Sequence, residues 1–335
     1  MHPPLYPLRF QPIFQRYLWG GHRLRTGLGK PTGPQPCAES WEICDRPHAQ
    51  SIVRAGPLAG RSLRELIEQY GPQLLGPTTE DIYAPPIACP TNRRFPLLVK
   101  FLDAAQTTSV QVHPDDAQAA QWNLPDPGKT EAWIVLAADP GSLIYAGLLP
   151  GVDEKQFRQA IQKGSCAELL HRFEPKVGDC IFLPAGTIHA LGGGLLVAEI
   201  QQNSDLTFRL YDWGRVGPDG NPRPLHLAQA LATIRFPQGP VFPQTPQPLP
   251  QKKATQLIQC PYFTIHQWQI DQPQPLGGDG RFHLFVFLQG HAAVETDASG
   301  ALLGPGDCLF LPACLAPTPI RPHAEKLTFL DVFIA

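Results

Sequence analysis

Gly178-Asp179-Cys180-Ile181-Phe182-Leu183-Pro184-Ala185-Gly186-Thr187-Ile188-His189 decides how the rest of this sequence is read. It fits the pattern G-x5-P-x-G-x2-H: a turn, an apolar strand and a second turn that ends on an imidazole. Gly306-Asp307-Cys308-Leu309-Phe310-Leu311-Pro312-Ala313 repeats its first eight positions with one change, and in that register Pro317 stands where His189 stood. A repeat of this kind implies two copies of one β-rich unit. The missing histidine implies that only the first copy does metal chemistry.

Outward from the motif, the chain has 335 residues, enough for two units each with its own core. Its 30 glycines and 39 prolines are spread throughout, which suits many short strands joined by turns. Strands are expected at 97–101, 106–113, 179–183, 195–202 and 206–212. Ser62-Leu63-Arg64-Glu65 reads as a capping box for a helix carrying Leu63, Leu66, Ile67 and Tyr70, ending near Gly71-Pro72. A second helical stretch, capped by Asp153, covers 153–162 and continues unevenly to about His171, and 225–234 reads as a short helix. Residues 237–251 hold six prolines and four glutamines and read as a linker. After it, the apolar runs 257–270, 282–288, 302–311 and 327–334 read as a second all-β unit. The expected fold class is mainly β: two antiparallel jelly-roll β-sandwich domains, residues 1–240 and 252–335, with a small helical insertion at about 58–76 and 153–172.

Hydrophobic residues at 43% and charged residues at 17% suit a soluble globular protein, and a net charge of -2 gives no global pull toward nucleic acid or an acidic membrane. No apolar run approaches the ~20 residues of a membrane span. Met1-His2-Pro3-Pro4 does not start a charged segment followed by an apolar one. The eight cysteines (37, 44, 89, 166, 180, 260, 308 and 314) form no C-x-x-C pair, so no disulfide framework is expected. A cytoplasmic monomer or homodimer, with neither nucleic acid nor membrane as partner, is the expectation.

Gln111-Val112-His113 puts two possible ligands at i and i+2, on one face of a strand that Ser109 shares, and Pro114 ends that strand. Lys129 and Glu131 repeat the spacing ahead of the apolar Ile134-Val135-Leu136. With His189, these strands of one barrel offer imidazole and carboxylate ligands for Zn²⁺ or a similar ion. Each residue also has a simpler reading: a hydrogen-bonded structural histidine, a cross-strand glutamine, a Glu131–Lys129 ion pair, a bare tight turn at Gly178-Asp179. The combination is what argues for a metal. Downstream, Glu199 to Trp213 is polar for a segment flanked by strands, which fits a wet cleft or a surface hairpin. Arg209 alternates with Phe208 and Leu210, so it is either exposed or an anion binder in a cavity.

Together, Gln111-x-His113-Pro114-Asp115-Asp116, Gly128-Lys129-Thr130-Glu131, Gly178 to His189 and Glu199 to Trp213 resemble the type I mannose-6-phosphate isomerases of the cupin superfamily, in their short bacterial form. Trp19-Gly20-Gly21, Glu39-Ser40-Trp41-Glu42 and Gly56-Pro57-Leu58-Ala59-Gly60 extend the resemblance over most of residues 10–235. It implies cupin-type sandwiches and one Zn²⁺ per chain held by His113, Glu131 and His189, with Gln111 as a fourth ligand. It also implies a catalytic arginine at Arg209. The implied reaction interconverts mannose 6-phosphate and fructose 6-phosphate through an enediolate. A divalent metal polarises sugar oxygens, and a fixed guanidinium grips an oxyanion. Lys129, Ser109, Lys100 and Arg209 are the candidate substrate contacts, and Lys100 reads first as a strand-edge lysine. Lys129 and a metal-bound water are the alternatives for proton transfer. A non-catalytic sugar- or metabolite-binding cupin and a metal-dependent dioxygenase are the competing readings. Arg209 and Lys129 beside the ligands favour turnover of an anionic sugar. In the second half, His283, His291 and His323 read as scattered structural or surface histidines.

Overall fold

Every residue of Leu97–Ala104 and Leu195–Gln202 is buried, so these strands cannot belong to an antiparallel sheet with one wet face. In the computed structural model, which describes residues 3–77, 94–217, 220–250 and 252–334, the two strands lie at the middle of a six-stranded antiparallel sheet. Its order is Ile13–Gln15, Glu39–Ile43, Leu97–Ala104, Leu195–Gln202, Glu131–Ala138, Cys180–Leu183. A second sheet runs Phe208–Tyr211, Val110–Val112, His189–Leu191, Ile144–Leu148, Leu170–Phe173. A third, seven-stranded sheet is built from residues 247–333, around the long strands His283–Ala293 and Thr318–Phe333.

Period-2 alternation explains the double burial. One set of side chains from the first sheet, including Val99, Phe101, Ile134, Ala198 and Ile200, packs with Leu284, Val286, Phe310, Leu330 and Val332 of the third sheet. The alternate set, including Leu102, Trp133, Val135 and Val197, faces Ile144, Ala146 and Leu191 of the second sheet. The second sheet turns its other face to the helices Glu154–Gln162 and Leu227–Thr233 through Val112, Phe157, Ile188, Leu210 and Ala230. The third sheet curls around a core of its own, with Phe285, Phe287, Leu309 and Phe329.

The two halves are joined by aromatic packing. Phe95 lies 5.1 Å from Phe282 and 5.6 Å from Phe310 between ring centroids. Such pairs contribute about 0.5–1.5 kcal/mol each beyond their buried area. Near the chain start, Leu8 exchanges both backbone hydrogen bonds with Phe310, at 2.8 and 2.9 Å. Arg9 pairs with Asp297 and Asp307. Capping boxes at Ser62 and Asp153 start their helices as the sequence suggests, and Asp115 with Gln118 makes a third. No helix among the described residues is long and apolar enough to cross a membrane. Seven cysteines are free, and Cys89 lies outside the described residues.

Several sequence expectations need correction. The strand expected over 106–113 is only Val110–Val112, because residues 107–109 instead use Thr107 and Thr108 side chains to hold the backbone at Gly193 and Leu191. The helical stretch does not reach His171: after Cys166–Leu169 the chain becomes the strand Leu170–Phe173, paired with Ile144–Leu148. The proline-rich stretch is not a free linker. Gln238 braces both Gly186 and Ile188, Val241 N–H donates to Ala146 O, and Gln244 N–H donates to Cys180 O.

Candidate metal centre and active site

His113, Glu131 and His189 come from three separate strand ends and converge with their ligand atoms within 4.8 Å of one another, all buried. Two glycines make the convergence possible. A Cβ on Gly128 would meet the Asp115–Asp116 backbone at 2.5 Å. Only glycine lets the chain pass there, so that Lys129 N–H donates to Pro114 O at 2.9 Å beside His113. Gly186, at φ 86°, donates its N–H to His113 O at 2.8 Å and so ties the His189 turn to the first histidine. The register then sets Leu183 opposite Glu131 and His189 opposite Gln111.

Each imidazole is oriented from behind. His113 Nδ1 lies 2.7 Å from Leu206 O and His189 Nδ1 lies 2.9 Å from Thr187 O. Carbonyls only accept, so both Nδ1 atoms carry the proton and both Nε2 atoms keep free lone pairs, as metal-binding histidines do. Burial pushes both imidazoles down, His189 to about 4, with Lys129 adding to the effect at His113. Both are neutral at pH 7. Burial also pushes the Glu131 carboxyl up, against the opposing pull of Lys129.

The residues fit a divalent ion. Oε1 of Glu131 accepts no hydrogen bond, although the side chain has no exposure. Lys129 Nζ reaches Oε2 at 2.8 Å as an ion pair. An orphaned buried carboxylate oxygen is costly, and a cation between Oε1 and the imidazoles satisfies it. The ligand edges match as well: His189 Nε2 to Glu131 is 3.2 Å, His113 Nε2 to Glu131 is 3.6 Å, and Gln111 Nε2 to His189 Nε2 is 3.3 Å. A tetrahedral site with bonds of about 2.1 Å has edges of about 3.4 Å. A half-turn of the Gln111 carboxamide presents its oxygen at the same place.

The cluster opens into a cavity of about 290 Å³ lined by Gln111, Lys129, Lys100, Glu199, Ser109 and Arg209, among others. Its floor holds Lys100, Glu199 and Trp133, neighbours in a row across the first sheet that continues to Trp41, each the register partner of the next. Lys100 lies 3.4 Å from Glu39 and 3.3 Å from Glu199. Trp133 Nε1 donates to Glu199 at 2.8 Å and Trp41 Nε1 to Glu39 at 2.6 Å. Burial works to lower the Lys100 pKa, but Glu39 and Glu199 outweigh it and hold the ammonium above the ordinary lysine range. Burial works to raise that of Glu199, but Lys129 and Lys100 win and hold it down. The expectation of a strand-edge Lys100 is thus overturned. It sits on an interior strand, and two carboxylates neutralise it. Arg209 projects from the opposite wall, as the register partner of Gln111. Its Nε donates to Ser109 Oγ at 3.3 Å and its Nη1 to Pro224 O at 2.8 Å. Burial, then Arg223, lowers its pKa.

Gln111, Lys129, Lys100, Ser109 and Arg209 therefore line one cavity, and His113, Glu131 and His189 lie buried beside Gln111 and Lys129. Sequence reasoning missed Glu39 and Arg223, and passed over Glu199 as a ligand to Lys100. A charge inside Leu-Leu-Val-Lys100-Phe-Leu and another inside Val-Ala-Glu199-Ile were the available signal. A larger depression of about 510 Å³, near Asp103, Asp139 and Gly194, shares no lining residue with this cavity and carries the Arg23–Asp139 ion pair. In the second half His283 is a structural histidine, as expected, but it is paired with acids. It lies between Asp331, at 2.7 Å, and Asp279, at 3.2 Å.

Comparison with known proteins agrees with this geometry. Residues 7–133 match the model of the phosphomannose isomerase type I catalytic domain, and residues 253–326 match that of the mannose-6-phosphate isomerase cupin domain. A probable mannose-6-phosphate isomerase of Bacillus subtilis is 36% identical over 96% of this chain and 98% of its own length. A mannose-6-phosphate isomerase of Streptococcus mutans is 33% identical over 91% of this chain and 92% of its own length. The crystal structure of a Bacillus subtilis mannose 6-phosphate isomerase superposes with a TM-score of 0.85 at 30% identity, covering 98% of this chain and 99% of that one. A mannose 6-phosphate isomerase crystallised as a zinc-bound holo form shares the fold at a TM-score of 0.76 and 18% identity, covering 98% of this chain and all of that one. With near full-length identity above thirty per cent and both family domains matched in order, the chain belongs to the type I phosphomannose isomerase family.

Proposed function

We propose that the chain interconverts mannose 6-phosphate and fructose 6-phosphate in the cavity above the His113–Glu131–His189 cluster, with one zinc ion per chain. The observation that carries the reading is the pairing of two neutral, back-oriented imidazoles and a buried carboxylate with one open oxygen beside a cavity lined by Lys100, Lys129, Arg209 and Arg223. The zinc-bound relative of the same fold supports the choice of ion. His113, Glu131, His189 and Gln111 hold it. The bound ion supplies Lewis-acid polarisation of adjacent sugar oxygens, which lowers the cost of charge on an enediolate.

The remaining work falls to the chain's own side chains. Lys129, fixed beside Glu131, contacts the sugar oxygens and exchanges the proton that moves between C1 and C2. Arg209 and Ser109 face the substrate's anionic groups from the other wall. Lys100, neutralised by Glu39 and Glu199, holds the floor and donates to sugar hydroxyls. Residues 1–240 carry the reaction. Residues 252–335 form a second cupin unit that keeps the outer face of the first sheet dry. The free cysteines support a reduced, cytoplasmic setting.

A coupled assay for fructose 6-phosphate, run beside metal analysis, tests the proposal. Turnover that disappears on chelation and returns with zinc is expected. Tight sugar-phosphate binding without turnover in zinc-loaded protein favours the binding-cupin reading and overturns this one.

A further inference from the structure

Arg223 also lines the cavity. The strand Phe208–Tyr211 leads through Asp212 into a two-legged loop, closed where Val216 pairs with Pro222 and Gly217 N–H donates to Asn221 O at 2.7 Å. The legs carry Arg215 and Arg223, and both turn back on the buried Asp212 carboxylate. Arg223 Nε donates to Oδ2 at 2.7 Å and its Nη2 to Oδ1 at 2.5 Å. Arg215 takes Oδ1 from the other side and is anchored to Thr107 O at 2.7 Å. Arg215 is therefore committed to the loop. Arg223 is gripped on one edge only, through Nε and Nη2, and its Nη1 is not part of that fork.

Charge and position point the same way. Arg209, Arg215 and Arg223 gather around the Asp212 carboxylate, at the edge of a cavity that Asp205, Glu39 and Glu199 also line. A local excess of guanidinium beside a cavity suits an anion that neutralises it. Arg209 stands one strand from the metal-ligand set, opposite Gln111, and reaches the carbonyl of Pro224, the residue after Arg223. Along this wall the order is ligand set, Arg209, Arg223. A sugar phosphate has its reacting carbons at one end and its dianion at the other.

We propose that Arg223 is a specificity-determining residue: with Arg209 it grips the phosphate of the substrate, and Asp212 is the positioning residue that holds it there. The inference rests on the isomerase reading above, and the test separates the two. Arg223→Met, Arg223→Lys and Asp212→Asn are compared with wild type by steady-state kinetics, by metal content, and by calorimetric binding of inorganic phosphate, which needs no turnover. Arg223→Met is expected to raise KM for mannose 6-phosphate about 10- to 100-fold, the scale of a charge-assisted pair. Its kcat should stay within about threefold, its metal content should be unchanged, and phosphate should bind more weakly by a similar factor. Arg223→Lys recovers part of the loss, because an ammonium replaces the charge but not the fork. Asp212→Asn shifts KM the same way by a smaller factor with kcat kept. A folded, metal-loaded Arg223→Met that retains KM and phosphate affinity within about twofold overturns the proposal, as does a loss confined to kcat. Should Arg223→Met fail to fold, unchanged phosphate affinity in Arg223→Lys overturns it equally. A wild type that binds phosphate through Arg223 yet does not isomerise leaves the grip standing and removes the isomerase reading.

Discussion

Gly178 and Gly306 open the two copies of the motif with the same left-handed turn, at φ 93° and 90°. The strands that follow, Cys180–Leu183 and Cys308–Leu311, sit in the same register: Leu183 opposes Glu131, and Leu311 opposes His283. Two residues along, Trp133 faces Glu199, which faces Lys100; Phe285 faces Asp331, which faces His266. The row Glu131, Glu199, Lys100 thus returns as His283, Asp331, His266. The copies diverge in how they satisfy these buried polar groups. In the first, His189 arrives and Glu131, held by Lys129 at Oε2, keeps Oε1 without a hydrogen bond. In the second, Pro317 packs so close to Gly278 that a Cβ there would meet its ring at 2.4 Å, and His283 is closed by Asp331 and Asp279. The same frame can be completed by a metal or by an internal ion pair, and the two copies differ both at the turn histidine and in the acids that close on His283.

The sharpest way to break the comparison is His189→Ala. It removes a ligand with no substitute nearby, so metal analysis should find less than stoichiometric zinc and activity should fall by about three orders of magnitude or more, since a Lewis acid supplies several kcal/mol. Full metal and activity would remove His189 from the site. Lys129→Met comes next, with turnover down about 10²- to 10⁴-fold, the scale of a lost proton-transfer group, and metal retained. Loss of metal affinity instead would mean that Lys129 serves only to orient Glu131. Arg209→Ala should cost roughly two orders of magnitude in activity, the scale of one preorganised charge donor, while denaturation shifts by no more than about 1 kcal/mol.

Smaller effects probe the second copy. Burial works against the charged form of His283, but Asp279 and Asp331 overcome it and raise its pKa to about 9. A folded-state pKa above the unfolded value of about 6.5 stabilises the fold fully below that pH and loses its effect as pH rises through 9. The contribution is at most about 3 kcal/mol, counted once for the whole triad. His283→Gln should therefore destabilise the protein at pH 6 and hardly at all at pH 10, as read by urea unfolding at both pH values. Equal losses at the two would reject a charged His283. Pro317→His should leave metal stoichiometry unchanged, because His283 and Asp331 are already paired; a second zinc bound in that half would end the contrast.

Much of the site was readable because its ligands lie in short, local patterns. Gln-x-His, Lys-x-Glu and the motif ending at His189 each fix a face within a few residues, and all three faces meet. The doubling of Gly-Asp-Cys-x-Phe-Leu-Pro-Ala announced two β units for the same reason. What escaped depends on distant register. Lys100 reads as an edge lysine until Glu39 and Glu199 are known to flank it. His171 reads as a helix end until the strand Ile144–Leu148 claims it. The proline-rich stretch reads as a linker until Gln238 is found bracing the His189 turn. Arg223 depends on a loop closing back on Asp212, which no spacing reveals.

The exchange of hydrogen bonds between Leu8 and Phe310 carries a consequence for synthesis. Leu8 leaves the ribosome long before its edge partner Phe310 is made. At about 5–20 residues per second, roughly 15–60 s separate their emergence. Through that interval the N-terminal segment waits unpaired, and so does the face of the first sheet that Phe282 and Phe310 will cover. A nascent chain stalled before residue 300 would therefore present a sticky edge and an apolar face together, which makes it a natural client for chaperones.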